Sequence, residues 1–589
     1  LLGFWLQEMS YTHCFYVAGG GIMHLLQAFR SMFTCIPVVH ENSAGICAEH
    51  FNQTAPKNKK AFALVTTGPG LTNIMTAIAG CYVEHRELLV IAGQVKSTDM
   101  LVYPQRQKGV QEIDGTSLCR SVSVHSECLT APVKCALFKN IVKKSEGPHP
   151  GPVLIEVCLD VQGATVDPEV FFTNSNLNHN SIILPKIEDI IYLENLINSA
   201  HRPVLLLGGL VTRNIAWEIL PLLEQFDLPV ATTTSAIDRV PTDSPVFAGR
   251  PGSWGGQRAA NLILAQADVV LAFGAQLDLQ QTGFNSKEYV PNAKLVQIFP
   301  SDNELSRVGP LTCRKILASP DITLAKLCPR IDWKDIQGWS SYMRKIRALI
   351  PSIESVNIKD SKFINSFIFF KNLSKATRQS DILALCSSGG TFTGTLQTYE
   401  IARRQIATTS ASYASMGYGL ATAIGVAFAN PSRRVILTEG EGGFSQNLQE
   451  LAIVSRFELP IKIFLIENNG YASIRATQKK FFDGDYLGCD PDTGLGFPNW
   501  EKLINSYNIP CRHLGIDEIR IDVLSNLLCN SEGPEVWLVS IDPNQTNWPA
   551  ISTILSKSGS MESAPLYNML PKLSDEVLEQ VGRYLPCPK

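Results

Sequence analysis

One stretch of the chain, residues 433–474, restricts the possible fold more than any other. It is predicted to form a strand (434–438), a glycine-rich turn, an amphipathic helix (445–457) and a second strand (461–466). Because strand–helix–strand crossovers are almost always right-handed, the two strands are expected to lie parallel and adjacent. Their carboxyl ends then open on the same edge of a sheet, where α/β proteins bind ligands.

The two turns at this edge carry residues suited to a diphosphate and a metal ion. They are Gly440, Glu441, Gly442 and Gly443 in the first turn, and Asn468, Asn469 and Gly470 in the second. Glycines let the backbone approach a bulky anion, and a helix amino terminus offers it free N–H groups. Carboxylate, amide and phosphate oxygens are ligands that Mg²⁺ prefers. The segment predicts a metal–diphosphate site, although an ordinary βαβ unit with glycine-rich turns would show the same pattern.

Several other kinds of protein are excluded by the sequence. There is no G-x-x-x-x-G-K-[ST] motif, and the third glycine of a G-x-G-x-x-G motif would fall on Ser445. A net charge of −3 without a long basic run argues against a nucleic-acid partner. Residues 405–432 carry no charge but are too rich in Ser, Thr and Gly for a membrane span, so we expect a buried loop and helix there.

The composition is typical of a large enzyme from a reducing compartment. A length of 589 residues suggests three or four domains. The 15 cysteines include no C-x-x-C pair, which favours scattered free thiols over a disulfide framework. We therefore predict a cytoplasmic protein. Because the chain starts in a helix-like stretch without a methionine, we expect Leu1 not to be the natural start.

Alternating apolar strands and helical stretches predict an α/β fold with three doubly wound parallel-sheet domains. The predicted units are an N-terminal domain (1–165), a central Rossmann-like domain (186–315), a C-terminal domain (376–550) and a C-terminal tail (551–589) forming a surface helix and arm. The polar stretch 173–181 is the clearest linker, and a helical connector occupies 320–375. The first and third domains are expected to share a topology.

A carboxylate in the first domain also follows a predicted strand. Residues 36–39 form a short strand that runs into Glu41, and a helix is predicted to start near Ser43. Glu41 therefore lies at the carboxyl end of a strand, where α/β domains place ligands. A solvated carboxylate favoured by the dipole at a helix start would fit the same pattern.

The segment 433–474 resembles the signature of thiamine-diphosphate enzymes, usually written G-D-G followed some two dozen residues later by N-N. Further motifs resemble the acetolactate-synthase branch of that family and occur in the expected order. They are HENSAGICAEHF (40–51), TTGPGLTN (66–73), LLVIAGQV (88–95), GVQEIDG (109–115) and ASMGYGLATAIG (414–425). The resemblance covers nearly the whole chain, and this collinearity is more specific than any single motif.

The resemblance implies thiamine diphosphate and Mg²⁺ as cofactors, with pyrimidine-binding first and diphosphate-binding third domains. It implies that Glu41 is the catalytic glutamate, which activates the aminopyrimidine of the cofactor, and that Gln111 approaches the reacting carbon. The implied cofactor-binding residues are Thr72, Asn73, Ser387, Ser388, Gly389, Ala414, Met416, Gly440, Glu441, Gly442, Gly443, Asn468 and Gly470. The implied metal ligands are Glu441, Asn468 and the Gly470 carbonyl.

The implied reaction is decarboxylation of a 2-oxo acid, with ligation of the product to a second carbonyl. Pyruvate is the expected 2-oxo acid. A non-ligating decarboxylase and a non-catalytic relative remain alternatives, and the acceptor is not readable from the motifs. Since the family's cofactor bridges two subunits, the resemblance implies a homodimer or homotetramer. FAD remains open, because Gln276 stands where the family often has arginine.

Two residues depart from the family pattern near the diphosphate. Glu441 replaces the aspartate of G-D-G, and Glu467 aligns with the first asparagine of N-N. Because Mg²⁺ requires near-ideal geometry, we expect cofactor binding to be retained but weakened. The extra carboxylate of Glu467 should repel the diphosphate unless it points away or meets a cation.

Overall fold

Three parallel sheets of six strands, each flanked by helices, make up the protein. The computed structural model describes residues 1–102, 104–167, 182–358, 362–555 and 561–586. The predicted doubly wound α/β fold with three parallel sheets is confirmed. The strands of the three sheets span residues 11–158, 203–317 and 382–540, while the domain bounds given above stay a prediction.

The strands are short and mostly buried on both faces, as expected for parallel sheets covered by helices. The first sheet contains β1 (Tyr11–Tyr16), β2 (Thr34–Pro37), β3 (Lys60–Val65), β4 (Leu88–Gln94), β5 (His125–Leu129) and β6 (Pro152–Cys158). The second contains β7 (Pro203–Leu207), β8 (Val230–Thr232), β9 (Phe247–Gly249), β10 (Val269–Phe273), β11 (Lys294–Phe299) and β12 (Arg314–Leu317). The third contains β13 (Ile382–Leu385), β14 (Ile406–Thr408), β15 (Val435–Gly440), β16 (Ile461–Glu467), β17 (Cys511–His513) and β18 (Glu535–Ser540).

The order of the strands locates a crevice in each sheet. The first sheet runs β2-β1-β3-β4-β6-β5 and the third runs β14-β13-β15-β16-β18-β17, which is the same topology. The second runs β12-β11-β10-β7-β8-β9, the classic dinucleotide-binding order. The chain direction across the sheet reverses between β1 and β3, between β10 and β7, and between β13 and β15. Ligands of α/β proteins bind at such switch points.

Helices cover both faces of each sheet. The α-helices of the first domain are Leu2–Glu8, Met23–Phe29, Glu41–Thr54, Pro69–Asn73, Met75–Val83, Gly115–Cys119, Cys135–Lys143 and Leu159–Gln162. Those of the central domain and connector are Ile187–Asn198, Arg213–Gln225, Arg258–Gln266, Leu279–Thr282, Asp302–Leu305, Pro320–Leu327 and Trp339–Leu349. Those of the third domain are Ser366–Ala376, Gly389–Thr398, Tyr418–Ala429, Glu441–Phe444, Leu451–Arg456, Ala472–Phe481, Trp500–Ser506 and Ile521–Asn530. No helix among these described residues is long and apolar enough to cross a membrane.

The first and third domains share one hydrophobic core. Helix Glu41–Thr54 packs against helix Tyr418–Ala429, and the Cys47 thiol donates a hydrogen bond to the Ala421 carbonyl at 3.2 Å. A Cβ atom at Gly425 would lie 2.2 Å from the Cys47 carbonyl oxygen, so the close approach of the helices requires glycine there.

Several local predictions were wrong. The helix predicted over 445–457 is broken into Glu441–Phe444, a 3-10 turn (Leu448–Glu450) and Leu451–Arg456. The break occurs where the Asn447 amide leaves the helix to donate to the Gly417 carbonyl at 2.5 Å. The segment 405–432 contains strand β14 as well as the expected loop and helix.

The helix after Glu41 and the tail also differ from prediction. The helix begins at Glu41 rather than near Ser43, because the His40 side chain accepts the Asn42 N–H as an N-cap. The tail forms a hairpin, β19 (Thr553–Leu555) with β20 (Met561–Ser563), and a helix, Asp575–Val581. Leu566 and Val581 of the tail are buried in the core of the central domain. The linker predicted at 173–181 lies outside the described residues.

Candidate active site

Three turns meet at the switch-point edge of the third sheet. Strands β13 and β15 are adjacent, as are β15 and β16, so the turn after β13 and the turn at Asn468 lie on either side of the turn at Gly440. The turn after β13 leads into helix Gly389–Thr398, whose amino-terminal N–H groups point toward this edge. Gly389 has a φ of +71°, and a Cβ there would meet nothing within 4 Å. The arrangement leaves open space beside a helix amino terminus, as an anion requires.

Ser387 and Ser388 complete the turn after β13. The Ser387 hydroxyl donates to the Ser415 carbonyl at 2.5 Å, which ties this turn to the segment that carries Met416. Ser388 is the N-cap residue of helix Gly389–Thr398, but its side chain makes no capping hydrogen bond. The Ser388 hydroxyl is therefore not committed to its own helix.

Glu441 lies at the centre of the site and is buried. Its Oε1 accepts hydrogen bonds from the backbone N–H groups of Asn468 and Gly470, both at 3.0 Å. Its Oε2 accepts from the indole N–H of Trp500 at 3.1 Å. Because each carboxylate oxygen has two acceptor positions, Oε2 can still bind one cation. The longer side chain of glutamate is thus accommodated by bonding to the neighbouring turn.

Asn468 presents a polar atom without a partner. Its Oδ1 is buried and accepts no hydrogen bond in the described part of the chain. The backbone around it is held by Arg475, which donates to the carbonyls of Asn468 at 2.6 Å, Asn469 at 2.8 Å and Pro543 at 2.9 Å. A fixed, buried and unsatisfied amide oxygen beside a carboxylate is the donor set of a hard cation.

The glycines here are needed for space. A Cβ at Gly442 would lie 2.4 Å from the Tyr471 ring and 3.4 Å from Cε of Met416. Gly470 has a φ of +133°, and a Cβ there would lie 2.1 Å from the Cys489 carbonyl oxygen. Met416 is half-buried, and its Cε lies next to Gly442.

A second carboxyl group lies beneath these glycines. Glu439 is fully buried, and its Oε1 accepts from the Cys386 thiol at 3.0 Å and would be 2.4 Å from a Cβ at Gly443. Its Oε2 has no hydrogen-bond partner among the described residues. Burial raises the pKa of Glu439 to about 7. The charged state of this carboxyl therefore depends on pH near neutrality.

Glu467 turns away from the site. Its Oε2 accepts from the Ser540 hydroxyl at 3.1 Å and lies 3.5 Å from Nδ1 of His513. Burial raises its pKa; His513 and Ser540 oppose this rise, and the charge of Glu441 adds to it. The extra carboxylate thus meets a histidine instead of facing the turns.

Glu41 and Asn73 form a pair in the first domain. The buried carboxylate of Glu41 accepts a hydrogen bond from the Asn73 amide at 3.0 Å on Oε2. A Cβ at Gly70 would lie 3.5 Å from its Oε1. Glu450 fixes the turn before Glu41, because its carboxylate accepts the N–H groups of Val39 at 3.2 Å and His40 at 3.0 Å. Burial raises the pKa of Glu450.

Thr72 and Gln111 are exposed near this pair. The Thr72 hydroxyl donates to the Pro69 carbonyl at 3.0 Å. Gln111 has a φ of +60°, and its carbonyl packs so closely on Gly68 that a Cβ there would lie 1.8 Å away. Neither side chain forms a hydrogen bond to Glu41 in the described residues.

The predicted site residues therefore form two groups. One surrounds Glu41 in the first domain, and the other surrounds Glu441 in the third. Among the described residues, no hydrogen bond joins the side chain of Glu41 to any of the predicted residues of the third domain. The two groups share no side-chain hydrogen bond in the described residues, although the turn before Glu41 is held by Glu450 of the third domain.

Glu84 links the first domain to the segment that carries Ala414 and Met416. Its Oε1 accepts from the Ser412 N–H at 2.5 Å, and from the Ser410 hydroxyl and the Tyr413 N–H at 3.3 Å each. Ala414 follows with a φ of +53°. The segment is thus held by a carboxylate more than 300 residues away.

Trp500, Arg475, Glu450 and Glu84 were missed by the sequence analysis. Trp500, Glu450 and Glu84 act on residues that are distant in the sequence, and Arg475 acts mainly on the turn just before it. No local pattern in the sequence marks any of the four.

The switch point of the central sheet is narrow. Gly209 after β7, Gly274 after β10, and Gln276 line a cavity of about 30 Å³, which is room for about one water molecule. A cavity of about 490 Å³ adjoins it through Gly209 and lies where the three domains meet. The narrow crevice therefore opens at Gly209 onto the larger cavity.

Comparison with known proteins gives a match in each domain. Residues 2–118 match the family described as thiamine pyrophosphate enzyme, N-terminal TPP binding domain. Residues 192–327 match its central domain, and residues 388–530 match its C-terminal TPP binding domain.

The chain is similar to acetolactate synthase large subunits over most of its length. It is 26% identical over 539 residues to acetolactate synthase isozyme 1 large subunit of Escherichia coli (strain K12), covering 91% of this chain and 92% of that protein. It is 26% identical to the probable acetolactate synthase large subunit of Methanocaldococcus jannaschii, covering 89% of this chain and 88% of that protein. It is 27% identical to the acetolactate synthase large subunit of Cyanidium caldarium, covering 80% of each chain.

Proposed function

The chain belongs to the thiamine pyrophosphate enzyme family, and from this premise we propose that it decarboxylates a 2-oxo acid and ligates the product to a second carbonyl. Pyruvate is the first substrate to test, because the relatives over most of the chain are named acetolactate synthases. The acceptor is a carbonyl compound whose identity depends on the shape of the substrate pocket.

One observation carries the proposal: the buried, unsatisfied Oδ1 of Asn468 beside the carboxylate of Glu441. A buried polar atom without a partner costs free energy unless a ligand satisfies it. Mg²⁺ would be bound by Oε2 of Glu441, Oδ1 of Asn468 and the Gly470 carbonyl. All three are oxygen donors, as Mg²⁺ prefers.

The diphosphate would lie against the amino terminus of helix Gly389–Thr398 and the turn of Gly440, Gly442 and Gly443. Free N–H groups and the absence of side chains favour a bulky anion there. Ser387 and Ser388 would line the same turn, and Met416 would support the cofactor from the side opposite Tyr471.

When bound, thiamine diphosphate supplies a nucleophilic carbon and holds the electrons released as carbon dioxide leaves. Glu41 would hydrogen-bond to the ring nitrogen of the cofactor and share a proton with it. Asn73 orients the Glu41 carboxylate through the hydrogen bond at 3.0 Å. Thr72 and Gln111 would lie at the exposed entrance and contact the substrate.

A second copy of the chain would complete the site. No side-chain hydrogen bond joins Glu41 to the predicted residues of the third domain in the described part of one chain. The family arrangement, in which the cofactor bridges two subunits, would place each group against its counterpart in a homodimer or homotetramer. The fourteen cysteines among the described residues are all free, which supports a reducing, cytoplasmic location.

The proposal is tested by thermal unfolding during titration with thiamine diphosphate and Mg²⁺. A ligand that binds only the folded state raises the midpoint temperature with its concentration. We expect a shift that requires both components and is reduced in Asn468→Ala, with Asn505→Ala as the control. No shift in the wild type would favour a non-catalytic relative.

The reaction is then tested by incubation with pyruvate and a panel of aldehydes, ketones and 2-oxo acids, followed by mass analysis of the products. A 2-hydroxy ketone or 2-hydroxy acid product is expected. Release of acetaldehyde alone would indicate a decarboxylase that does not ligate.

A further inference from the structure

Two histidines and a glutamate meet between the first and central domains. His85 follows helix Met75–Val83, His149 precedes β6, and Glu304 lies in helix Asp302–Leu305 of the central domain. One ligand atom of each lies within 4.8 Å of the others. None of these residues belongs to the candidate active site.

The two imidazole rings are held close together. Nδ1 of His85 lies 2.7 Å from Nε2 of His149, and the ring centroids are 4.5 Å apart. The Phe299 ring packs against both, at 5.6 Å and 6.1 Å between centroids. Nε2 of His85 is buried and has no hydrogen-bond partner among the described residues. The hydrogen bond between the rings therefore leaves His85 incompletely satisfied.

The electrostatic setting favours neutral rings. Burial lowers the pKa of His85 to about 3, and the positive charges of His149 and Arg307 act in the same direction. Burial also lowers the pKa of His149, although Glu304 opposes this effect. Neutral imidazole is the form that binds metal ions. Glu304 supplies the negative charge and shares it with Arg307, whose guanidinium lies 2.5 Å from its carboxylate.

We propose that His85, His149 and Glu304 bind one divalent transition-metal ion of the zinc type between the first and central domains. Two histidines and one glutamate form a known three-ligand set for Zn²⁺, which leaves a fourth position for water or a ligand. Magnesium prefers oxygen ligands and does not fit this set.

Binding an ion would require the rings to move apart and the Glu304 carboxylate, which has a ligand atom within 4.8 Å of the ring nitrogens, to move closer. Two nitrogens bound to a tetrahedral Zn²⁺ at about 2.0–2.1 Å lie roughly 3.3 Å apart, so the rings would separate by about 0.6 Å. The ion would replace the hydrogen bond between the rings and displace Arg307 from Glu304. Because the ligands come from two domains, the ion would tie them together next to the cavity that His85 lines.

The test is a titration of the chelator-treated full chain, without thiamine diphosphate, with Co²⁺ as a spectroscopic probe and then with Zn²⁺. We expect one Co²⁺ per chain with the intense visible absorption of a tetrahedral site, displaced by Zn²⁺. His149→Asn and Glu304→Gln should each weaken binding by about 10-fold or more, since each removes one of three ligands. Circular dichroism and the thermal midpoint report whether each variant is folded.

The matched control is His125→Asn, which removes a histidine that contacts Glu127 in the first domain at 2.9 Å. It should leave the Co²⁺ spectrum and stoichiometry unchanged. The proposal is overturned if the wild type shows no tetrahedral absorption. It is also overturned if folded Glu304→Gln and His149→Asn bind Co²⁺ as the wild type does, or if the His125 variant loses binding equally.

Discussion

The first and third domains have the same order of strands but carry different chemistry at the ends of those strands. In the third domain, glycine turns at the switch point expose helix N–H groups and oxygen donors. In the first domain, the turn after β2 instead presents Glu41, a buried carboxylate paired with the Asn73 amide. One topology thus presents helix N–H groups and oxygen donors in one copy and a buried carboxylate in the other.

Strand order therefore determines where a site forms, while the residues of a few turns determine what the site does. Positions 442 and 470 require glycine, because a Cβ at Gly442 would overlap the Tyr471 ring and a Cβ at Gly470 would overlap the Cys489 carbonyl. Glu41 needs no such space, since it only has to be buried and oriented. Changes in either domain should therefore have separable effects on catalysis and cofactor binding.

The largest effect is expected from Glu41→Gln in the first domain. Loss of the ionisable carboxyl should lower kcat by about 10²- to 10⁴-fold, the range of general acid–base catalysis. Binding of thiamine diphosphate, followed by thermal shift, should change little, because the third domain holds the diphosphate. Glu127→Gln in the same domain is the control. Near-normal turnover in Glu41→Gln would remove that residue from the proposed role.

The buried carboxyl of Glu439 in the third domain should make the free energy of unfolding depend on pH. The folded pKa of Glu439, about 7, is raised above its ordinary value of 4.5. Its contribution is therefore fully present below about pH 4.5 and is lost as pH rises through 7, by at most about 3 kcal/mol. In Glu439→Gln, the free energy of unfolding should fall less between pH 5 and 8 than in the wild type. An unchanged difference between these two pH values would contradict this account.

Arg475→Ala should loosen the second turn of the third domain. The variant removes hydrogen bonds to four backbone carbonyls, and carbonyls left buried and unpaired cost about 1–3 kcal/mol. We expect a loss of about 2–3 kcal/mol in the free energy of unfolding, measured with urea, and weaker cofactor binding. Arg520→Ala, which breaks an exposed pair with Asp522, should change neither.

Gly442→Ala tests the space beneath Tyr471. The new Cβ would overlap the ring, so the tyrosine must move toward the diphosphate position, and cofactor affinity should fall about tenfold, or 1.4 kcal/mol. Gly496→Ala is the matched control, because a Cβ there meets nothing within 4 Å. Equal affinities in the two variants would show that the glycine is not needed for cofactor access.

The smallest effect is expected from Glu441→Asp. The shorter carboxylate should lose the Trp500 hydrogen bond, lowering the free energy of unfolding by about 1 kcal/mol. It should also free an oxygen for Mg²⁺ and tighten metal binding a few-fold. Thermal unfolding should therefore show a less stable variant, and a metal titration should show tighter Mg²⁺ binding. Unchanged or weaker Mg²⁺ binding would contradict this account.

Much of the third domain could be predicted from sequence because its signals are local. Apolar runs mark β15 and β16, and the glycines between them mark the turn. The broken helix could not be predicted, since it depends on the Asn447 amide reaching Gly417. The partners of Glu441 were also hidden, because Trp500 lies 59 residues away in sequence.

In the first domain, Glu41 could be placed at a strand end, but its hydrogen bond with Asn73 could not be predicted. The family resemblance implied only that Asn73 binds the cofactor. The turn of Glu41 depends on Glu450, which lies about 410 residues further along the chain. Contacts of this kind leave no periodic pattern in the sequence. The shared core of the two domains creates them.

The central claim is that Glu41 of one chain and Glu441 of another act on the same cofactor. It is tested most directly by co-expressing two inactive variants with different tags, Glu41→Gln and Glu441→Gln/Asn468→Ala, and measuring carbon dioxide release from pyruvate by the purified hybrid. The account predicts that the hybrid regains activity, because one of the two sites in a symmetric dimer combines an intact first domain with an intact third domain; this site should supply about half of wild-type activity. A hybrid as inactive as its two parents, alongside an active wild type, would contradict it.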